Sequence, residues 1–481
     1  MSVAYAVPDY VWKKHKDNIG KTPPGHRFLL YFQSCGEGWS KLESEKLEAL
    51  QSAAGKGAFE DKLVDSLIKR QKNAAVMDAH LVICAKNTSP IATGLGNPHP
   101  TENGFAFLSP YGIPYLSGSL VKGVIRRAAE ELALFDQDSG WTLPLVWVLF
   151  GFEEKSAYID PTDKTEATPL QEERGRMRAT FAEWIDSSAA GDKLLTEWLG
   201  TIRSQLPKDK QKLTDDPTLF CKAIQNELGR EVRRSIHWQG MLNFWDVFPK
   251  TPNGLAVDIL NPHHKEYYEG KSTPNDSETP KPVFFLTVPP GALWTFICEM
   301  PTVSREKRRQ VFDAIGEWTT LMSKAFEHAF EWLGFGAKTT VGYGAMKRDE
   351  DAEARQTQER QMQEAVRQIE EEKRGREEEA RALKEAEEKR LAFLSPIDRS
   401  IEEILKNDPD KSKKPHIKLL EALKAGRVKS EEVRMVAGKI REMMEQVGEW
   451  VENPDPEKAK KDKRVKRTLE VMKFLEQQNG R

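Results

Sequence analysis

Residues 331–347 read E-W-L-G-F-G-A-K-T-T-V-G-Y-G-A-M-K, and they carry the most suggestive chemistry in the chain. Gly334, Gly336, Gly342 and Gly344 bracket Lys338, Thr339 and Thr340. Glycine admits positive φ and close approach by another backbone. Successive amides in such a turn form a concavity that favours anions, and Lys338 adds a formal charge, so the chemistry indicated is the holding of phosphate. The common nucleotide motifs do not fit. Ala337 stands where a Walker A loop needs its last glycine. Thr339 breaks a G-x-G-x-x-G fingerprint, and the order here is helix, loop, strand. Two readings stay open: a loop that clamps a polynucleotide backbone, and a tight connection that lets a helix pack on a sheet.

A second phosphate candidate lies in residues 111–132. Ser117 or Ser119 is placed to cap a helix. Lys122 and Arg126, four residues apart, share one face near its start, with Gly123 between them. A helix start favours anions; a solvated helix face is the alternative. Among acid–base candidates, His26 adjoins Arg27, and His99 lies three residues before Glu102. Asp246, Asp258, His263, His264 and Glu266 have side chains of the ligand type, without the i, i+4 helical spacing of a zincin. Tyr267 and Tyr268 offer rings that can stack on bases or pack internally. The basic cluster R-G-R-M-R at 174–178 suits RNA contact or plain solubility.

These residues need elements to position them. An apolar run at 26–32 reads as a strand, and 40–72 is helix-prone. Residues 79–92 read as a buried strand, followed by a loop at 93–105 rich in Gly and Pro. A helix follows from 117 to 132, then an aromatic run at 141–152. Residues 153–234 are polar and read as an insertion with helices near 178–185, 193–205 and 218–230. Strand patterns return at 237–249, 255–268 and 282–300. Residues 304–333 form the clearest helix, with Val311, Ile315, Trp318, Met322, Ala325 and Ala329 along one face, and Gly334 placed to end it. A strand at 340–347 closes the unit. The order β-α-β-β-α-β predicts an α+β, ferredoxin-like (RRM-like) core with large insertions. Residues 348–394 are dominated by Glu, Arg, Lys, Gln and Ala and read as a charged helical stalk, a weak coiled coil being the alternative. Helices near 397–406, 416–425, 430–450 and 457–478 make a small helical module over 395–481, whose last helix is strongly basic.

Composition restricts the function classes. No apolar run approaches the ~20 residues of a membrane span, and the start of the chain has no basic-then-apolar leader. Cys35, Cys84, Cys221 and Cys298 are scattered without a C-x-x-C pair, which argues against a zinc ribbon or disulfide scaffold and fits a reducing, cytoplasmic setting. The formal net charge is −2, so any footprint for nucleic acid is local rather than global.

The loop G-F-G-A-K-T-T-V-G-Y-G resembles the C-terminal Gly-rich loop of RAMP-superfamily CRISPR proteins. Four further segments, in the same order as in the family, are similar to the sixth-subunit branch of type III-B (Cmr) effectors. They are T-G-L-G-N-P-H-P-T-E-N-G-F, G-I-P-Y-L-S-G-S-L-V-K-G-V-I-R, V-D-I-L-N-P-H-H-K-E-Y-Y and P-V-F-F-L-T-V. The resemblance covers roughly 20–347 and omits the C-terminal stalk and module. Where the family has P-G-S-S-L-K-G-x-x-R, Ser117 replaces the Pro and Leu120 the second Ser, while Lys122, Gly123 and Arg126 match. The resemblance implies a RAMP domain over 1–347 and a non-catalytic subunit of an antiviral, RNA-guided complex. Its implied partners are guide RNA (crRNA), target RNA and the backbone, small and capping subunits, with no membrane, metal or cofactor. The implied RNA contacts are Lys122, Gly123, Arg126, Gly334, Gly336, Lys338, Thr339, Thr340, Gly342 and Gly344. Related RAMP proteins cut guide precursors without metal, so an endoribonuclease using His26 or His99 is the alternative. A metal-dependent nuclease through Asp246, Asp258 and His263 is a third reading.

Overall fold

The computed structural model describes residues 3–4, 6–32, 35–36, 46–58, 60–75, 79–160, 168–226, 229–260, 273, 282–301 and 308–476. Two compact units emerge, Met1–Gln358 and Glu359–Arg481.

The first unit is built on an antiparallel sheet with helices packed against it. Its central strands are β1 (His80–Asn87) and β5 (Leu293–Glu299), paired over seven rungs from His80↔Glu299 to Lys86↔Leu293. β2 (Asn243–Phe244) flanks β5, and β6 (Met346–Arg348) flanks β1. The strand order is therefore β6-β1-β5-β2. A separate hairpin, β3 (Ala256–Leu260) with β4 (Val283–Thr287), is inserted between β2 and β5. Helix α1 (Gly118–Phe135) follows β1, and α2 (Trp318–His328) follows β5. Side chains alternate across a strand. One face of β5 thus carries Trp294, Phe296 and Cys298, all buried. The Phe296 ring centroid lies 5.5 Å from those of Phe326 and Phe330 and 5.1 Å from that of Phe335, which fixes α2 and the chain after it onto the sheet.

α1 starts where short-range chemistry requires. Ser117 is extended (φ −68°, ψ 145°) and its Oγ accepts the Leu120 amide at 3.2 Å. Gly118 is needed there, because a Cβ would stand 2.0 Å from the Phe244 carbonyl oxygen. At the other end of the unit, β6 stops at Arg348 and helix α3 (Glu350–Phe393) begins. The Glu353 carboxylate accepts the Cys84 amide at 2.9 Å and Asp349 N donates to Cys84 O at 2.8 Å, so these two residues complete the ladder where the strand ends.

Several sequence expectations change. Residues 26–32 are not a strand: a helix spans Pro24–Leu29, with Pro24 at its first turn, and it buries Arg27 and Phe28. The helix-prone stretch is two helices, Lys46–Ala54 and Glu60–Ala74, broken around Gly55 and Gly57. The long helix over 304–333 is interrupted: Arg309–Ile315 ends at Gly316 (φ 74°, ψ −142°) before α2 begins, and a wider π turn, Ala329–Leu333, follows α2. The strand pattern at 237–249 yields only β2 as regular ladder. The polar insertion is helical, with Thr168–Ser187, Lys193–Ile202, Pro217–Gln225 and Arg230–Ser235.

The second unit has its own core. Helices α4 (Pro396–Lys406), α5 (Pro415–Lys424), α6 (Val433–Gln446) and α7 (Lys463–Glu476) bury Ile401, Leu419, Leu423, Val436, Ile440 and Val471 together. Lys414, His416 and Arg467 converge on the Glu449 carboxylate at 2.8, 3.0 and 2.9 Å. The hydrogen bond from Lys414 contributes most to holding that carboxyl down to about 2.

Candidate functional site

The Gly-rich loop is strapped to the segment that follows β1. Thr88 N donates to Ala345 O (2.9 Å), Gly344 N to Pro90 O (2.9 Å), Ala345 N to Ser89 Oγ (2.9 Å) and Ala337 N to Ala92 O (2.7 Å). Asn87, buried, holds this corner: its Nδ2 donates to Ser89 O at 2.8 Å and Pro289 O at 2.9 Å, and its Oδ1 accepts Trp294 Nε1 at 3.2 Å. A Cβ on Gly336 would lie 2.3 Å from Ala92 O, and one on Gly344 2.3 Å from Phe335 O. One on Gly334 would lie 2.8 Å from Tyr343 O. Three of the four glycines are thus explained by close backbone packing. The amides of Gly334, Phe335, Ala337 and Gly344 are spent within the fold.

The tip of the loop is different. Lys338 is left-handed (φ 63°, ψ 28°), and a 3-10 turn, Thr339–Val341, runs to Gly342 (φ 92°), where a Cβ would meet open space. Among the described residues, the amides of Lys338, Thr339 and Thr340 have no hydrogen-bond partner. Lys338 Nζ sits 5.2 Å from the Phe285 ring centroid of β4 and, among the described residues, has no carboxylate in ion-pair range. Tyr343 OH donates to Asp258 Oδ2 at 2.8 Å, so the β3–β4 hairpin supports the loop. Burial pushes the Tyr343 hydroxyl up to about 12, with Asp258 adding to the effect. Three consecutive unpaired amides beside an unpaired ammonium can hold a phosphate oxygen.

The loop also displays two apolar side chains that the sequence reading did not single out, Trp332 (71% exposed) and Val341 (68% exposed). Trp332 stands seven residues after Ala325, so regular helical spacing would put it on the buried stripe; it lies instead in the π turn Ala329–Leu333, which the sequence does not mark.

The start of α1 serves differently from expectation. Asp246 Oδ1 already accepts the Gly118 amide at 2.8 Å, so a carboxylate stands where an anion was expected. Arg126 does not reach outward. Its Nε bonds Glu130 at 3.0 Å, while its terminal nitrogens bond Gly151 O at 3.2 Å, Ser156 Oγ at 3.3 Å and Glu153 at 3.3 Å. Those bonds fasten α1 to the 151–158 segment, and this reassigns Arg126 from phosphate contact to structure. Lys122 keeps its candidacy. Burial, then Arg126, push its pKa down, and no carboxylate among the described residues pairs with it. Gly123, exposed, leaves open space beside it. Gly118 abuts Phe244, which pairs with Cys298 and through it with Leu81, six residues along β1 from Asn87. The candidate residues therefore fall in two places, roughly 20 Å apart along the strand direction.

The acid–base candidates are otherwise occupied. His99 Nε2 donates to Phe28 O at 2.9 Å, its Nδ1 accepts from Thr101 Oγ1 at 2.7 Å, and its ring stacks on Phe28 at 3.6 Å. Glu102 pairs with Lys46 at 3.2 Å rather than with His99. Arg27 is buried and donates to Gly20 O at 2.9 Å, while His26 Nε2 lies 2.7 Å from Pro110 O. His263, His264, Glu266, Tyr267 and Tyr268 lie outside the described residues. Among the described residues no three His, Cys, Asp or Glu side chains converge as a metal would need. The 174–178 cluster lies in the helix Thr168–Ser187, with Met177 buried.

Burial pushes the His99 imidazole down to about 4. The folded chain then binds fewer protons than the unfolded chain between that value and the ordinary imidazole value near ~6.5. Stability from His99 is intact above that window and is lost as pH falls through it, by at most about 3 kcal/mol. Denaturant unfolding at pH 7.5 and 4.5 should show this loss, and His99→Asn should flatten it. An equally steep loss in the variant would assign it elsewhere.

Both candidate places lie within residues 85–347, the stretch that matches the model of the RAMP superfamily. The chain belongs to the RAMP superfamily. It is similar to the CRISPR system Cmr subunit Cmr6 of Pyrococcus furiosus, 25% identical over 273 residues, covering 54% of this chain. The match spans 66% of that relative, just under two thirds of its length. Among solved structures, a chain of the type III-B Cmr-beta complex bound to cognate target RNA matches with a TM-score of 0.32 at 15% identity, covering 64% of this chain and 70% of that one. The crystal structure of Cmr6 from Pyrococcus furiosus matches with a TM-score of 0.24 at 21% identity, covering 56% and 98%. Residues 348–481 lie outside the family match. Among the described residues no helix is long and apolar enough to cross a membrane.

Proposed function

We propose that the chain is a non-catalytic, RNA-binding structural subunit of a type III-B (Cmr) CRISPR complex, a cytoplasmic RNA-guided machine of antiviral defence. In this reading it holds the 3′ region of the guide RNA and the guide–target duplex beside the backbone, small and capping subunits. The observation that carries the reading is the superfamily match, which ends at the Gly-rich loop whose tip presents unpaired amides and an unpaired lysine. The strand order β6-β1-β5-β2 supports a ferredoxin-like core. Phosphate contacts of this kind position a strand without reading it, so sequence would be read by base pairing between guide and target. The internal engagement of His99 and Arg126 supports a scaffolding role over cleavage.

The test is a tagged chain purified gently from its native host. Recovery of short guide RNAs with other Cmr subunits is expected; a lone protein, or one with unprocessed RNA, would overturn the reading. Within the assembly, Lys338→Asn keeps a residue that tolerates left-handed backbone while removing the charge. It should reduce guide retention on the order of tenfold at fixed salt, as for a charge-assisted bond of about 1.5 kcal/mol. Purified chain should leave RNA uncut with and without divalent metal.

A further inference from the structure

Nothing in the family match reaches the C-terminal unit, yet that unit carries the densest positive charge in the chain. Between residues 458 and 473 eight Lys or Arg stand against Asp462 and Glu470. The structure sorts them. Arg464 pairs with Asp462 at 3.1 Å, Arg467 with Glu449 at 2.9 Å, and Lys458 with Asp455 at 3.9 Å. Glu470 is taken by Lys424. Lys460, Lys461, Lys463, Lys466 and Lys473 are exposed and, among the described residues, have no carboxylate partner.

The helix orients this charge. At about 100° per residue, Lys463, Lys466 and Lys473 fall within roughly 80° of one another. Val465, Thr468 and Val471, all buried, occupy the opposite side of α7, and Val471 joins the unit's core. The cations thus project from a fixed surface.

We propose that this lysine face of α7 and the turn before it binds the phosphate backbone of RNA without reading its sequence. The choice among partners follows from residue type. Protein interfaces are depleted in lysine and enriched in arginine and aromatic residues. Here the arginines are consumed internally and what remains outside is lysine, which binds phosphate as a point charge. An acidic protein surface therefore fits less well than a polyanion of regular charge. Among the described residues of this face, the side chains left without a carboxylate partner are ammonium groups, which carry no base readout of their own. The choice of RNA rests on the function proposed above; the charge argument does not.

The test uses the full chain and a fluorescent 40-nucleotide single-stranded RNA, with a scrambled RNA of equal length, titrated at several salt concentrations. Replacing Lys460, Lys461, Lys463 and Lys466 together by Gln should weaken binding on the order of tenfold and lower the salt slope by about 3, near 0.7 for each phosphate no longer neutralised on a single strand. Affinity for native and scrambled RNA should fall equally. The corresponding fourfold Lys→Arg variant, which keeps the charge, should bind like the original chain. An unchanged affinity and slope in the Gln variant would overturn the inference, as would poly-glutamate that displaces RNA from this face at equal charge concentration. The two proposals fail separately. If Lys338→Asn costs nothing while the Gln variant loses affinity, the Gly-rich loop reading falls and this one stands; the reverse result sinks only this one.

Discussion

Gly344→Ala should cost the protein more than about 3 kcal/mol of stability, enough to shift the denaturant midpoint far beyond the effect of an ordinary surface change. The new Cβ would sit 2.3 Å from the Phe335 oxygen and 2.5 Å from its nitrogen, both backbone atoms that have no rotamer to escape into. The backbone is also at φ 83°, where a side chain adds about 1–2 kcal/mol. Gly342→Ala, two residues earlier, is the control. Its φ of 92° is equally left-handed, but a Cβ there meets nothing within 4 Å, so only the conformational cost remains. Equilibrium unfolding of both variants separates close packing from strain. Similar losses at the two positions would mean that the strap between 88–92 and 337–345 is not what demands glycine. The pair also divides the loop functionally: Gly344 builds it, whereas Gly342 lies at the tip beside Lys338.

Arg126→Ala should cost about 3–5 kcal/mol, because it strands the buried Glu130 carboxylate without its cation. Burial already pushes the Glu130 carboxyl up, and Arg126 is the main force opposing that rise. Without the guanidinium the folded-state pKa climbs further above the unfolded value. A folded state that holds its proton more tightly gains stability at low pH and loses it as pH rises through the window above the unfolded value. The variant should therefore be least impaired near pH 4.5 and most impaired at pH 7.5, a pattern opposite in sign to that of His99. Arg126→Met with Glu130→Met should recover most of the loss, since a buried pair replaced by apolar side chains is often neutral. A single variant that unfolds normally but loses RNA would restore Arg126 to the binding surface.

What the sequence revealed and what it hid divide by distance along the chain. The start of α1 was legible because Ser117 and Leu120 N are three residues apart and cap chemistry is local. β1 and β5 were legible because they are runs of buried, strand-forming residues. The run Phe28–Phe32 misled because an apolar stretch has no period of its own, and Pro23 and Pro24 decided for helix. The interruption after Ile315 came from Gly316, whose positive φ is not marked by composition. At the site, the Gly-rich loop was found, but not which glycine does what. For Gly336 that depends on Ala92, more than two hundred residues away. Arg126 looked free because its partners at 151–156 lie beyond the helix that carries it.

The sheet's margins bear on how other chains can meet it. β2 is two residues long and its continuation is closed off, with Leu116 and Val247 exchanging both backbone bonds at 2.9 Å and Gln71 Nε2 donating to Asp246 O at 2.7 Å. β6 is three residues long, and beyond it Asp349 and Glu353 satisfy Cys84 from within the chain. Short, sealed margins offer little template for another strand to add to, which is how β proteins avoid unwanted growth. Along the described margins of this four-stranded sheet a second chain would find few main-chain rungs, so contact there would fall to side chains and loops rather than to strand addition.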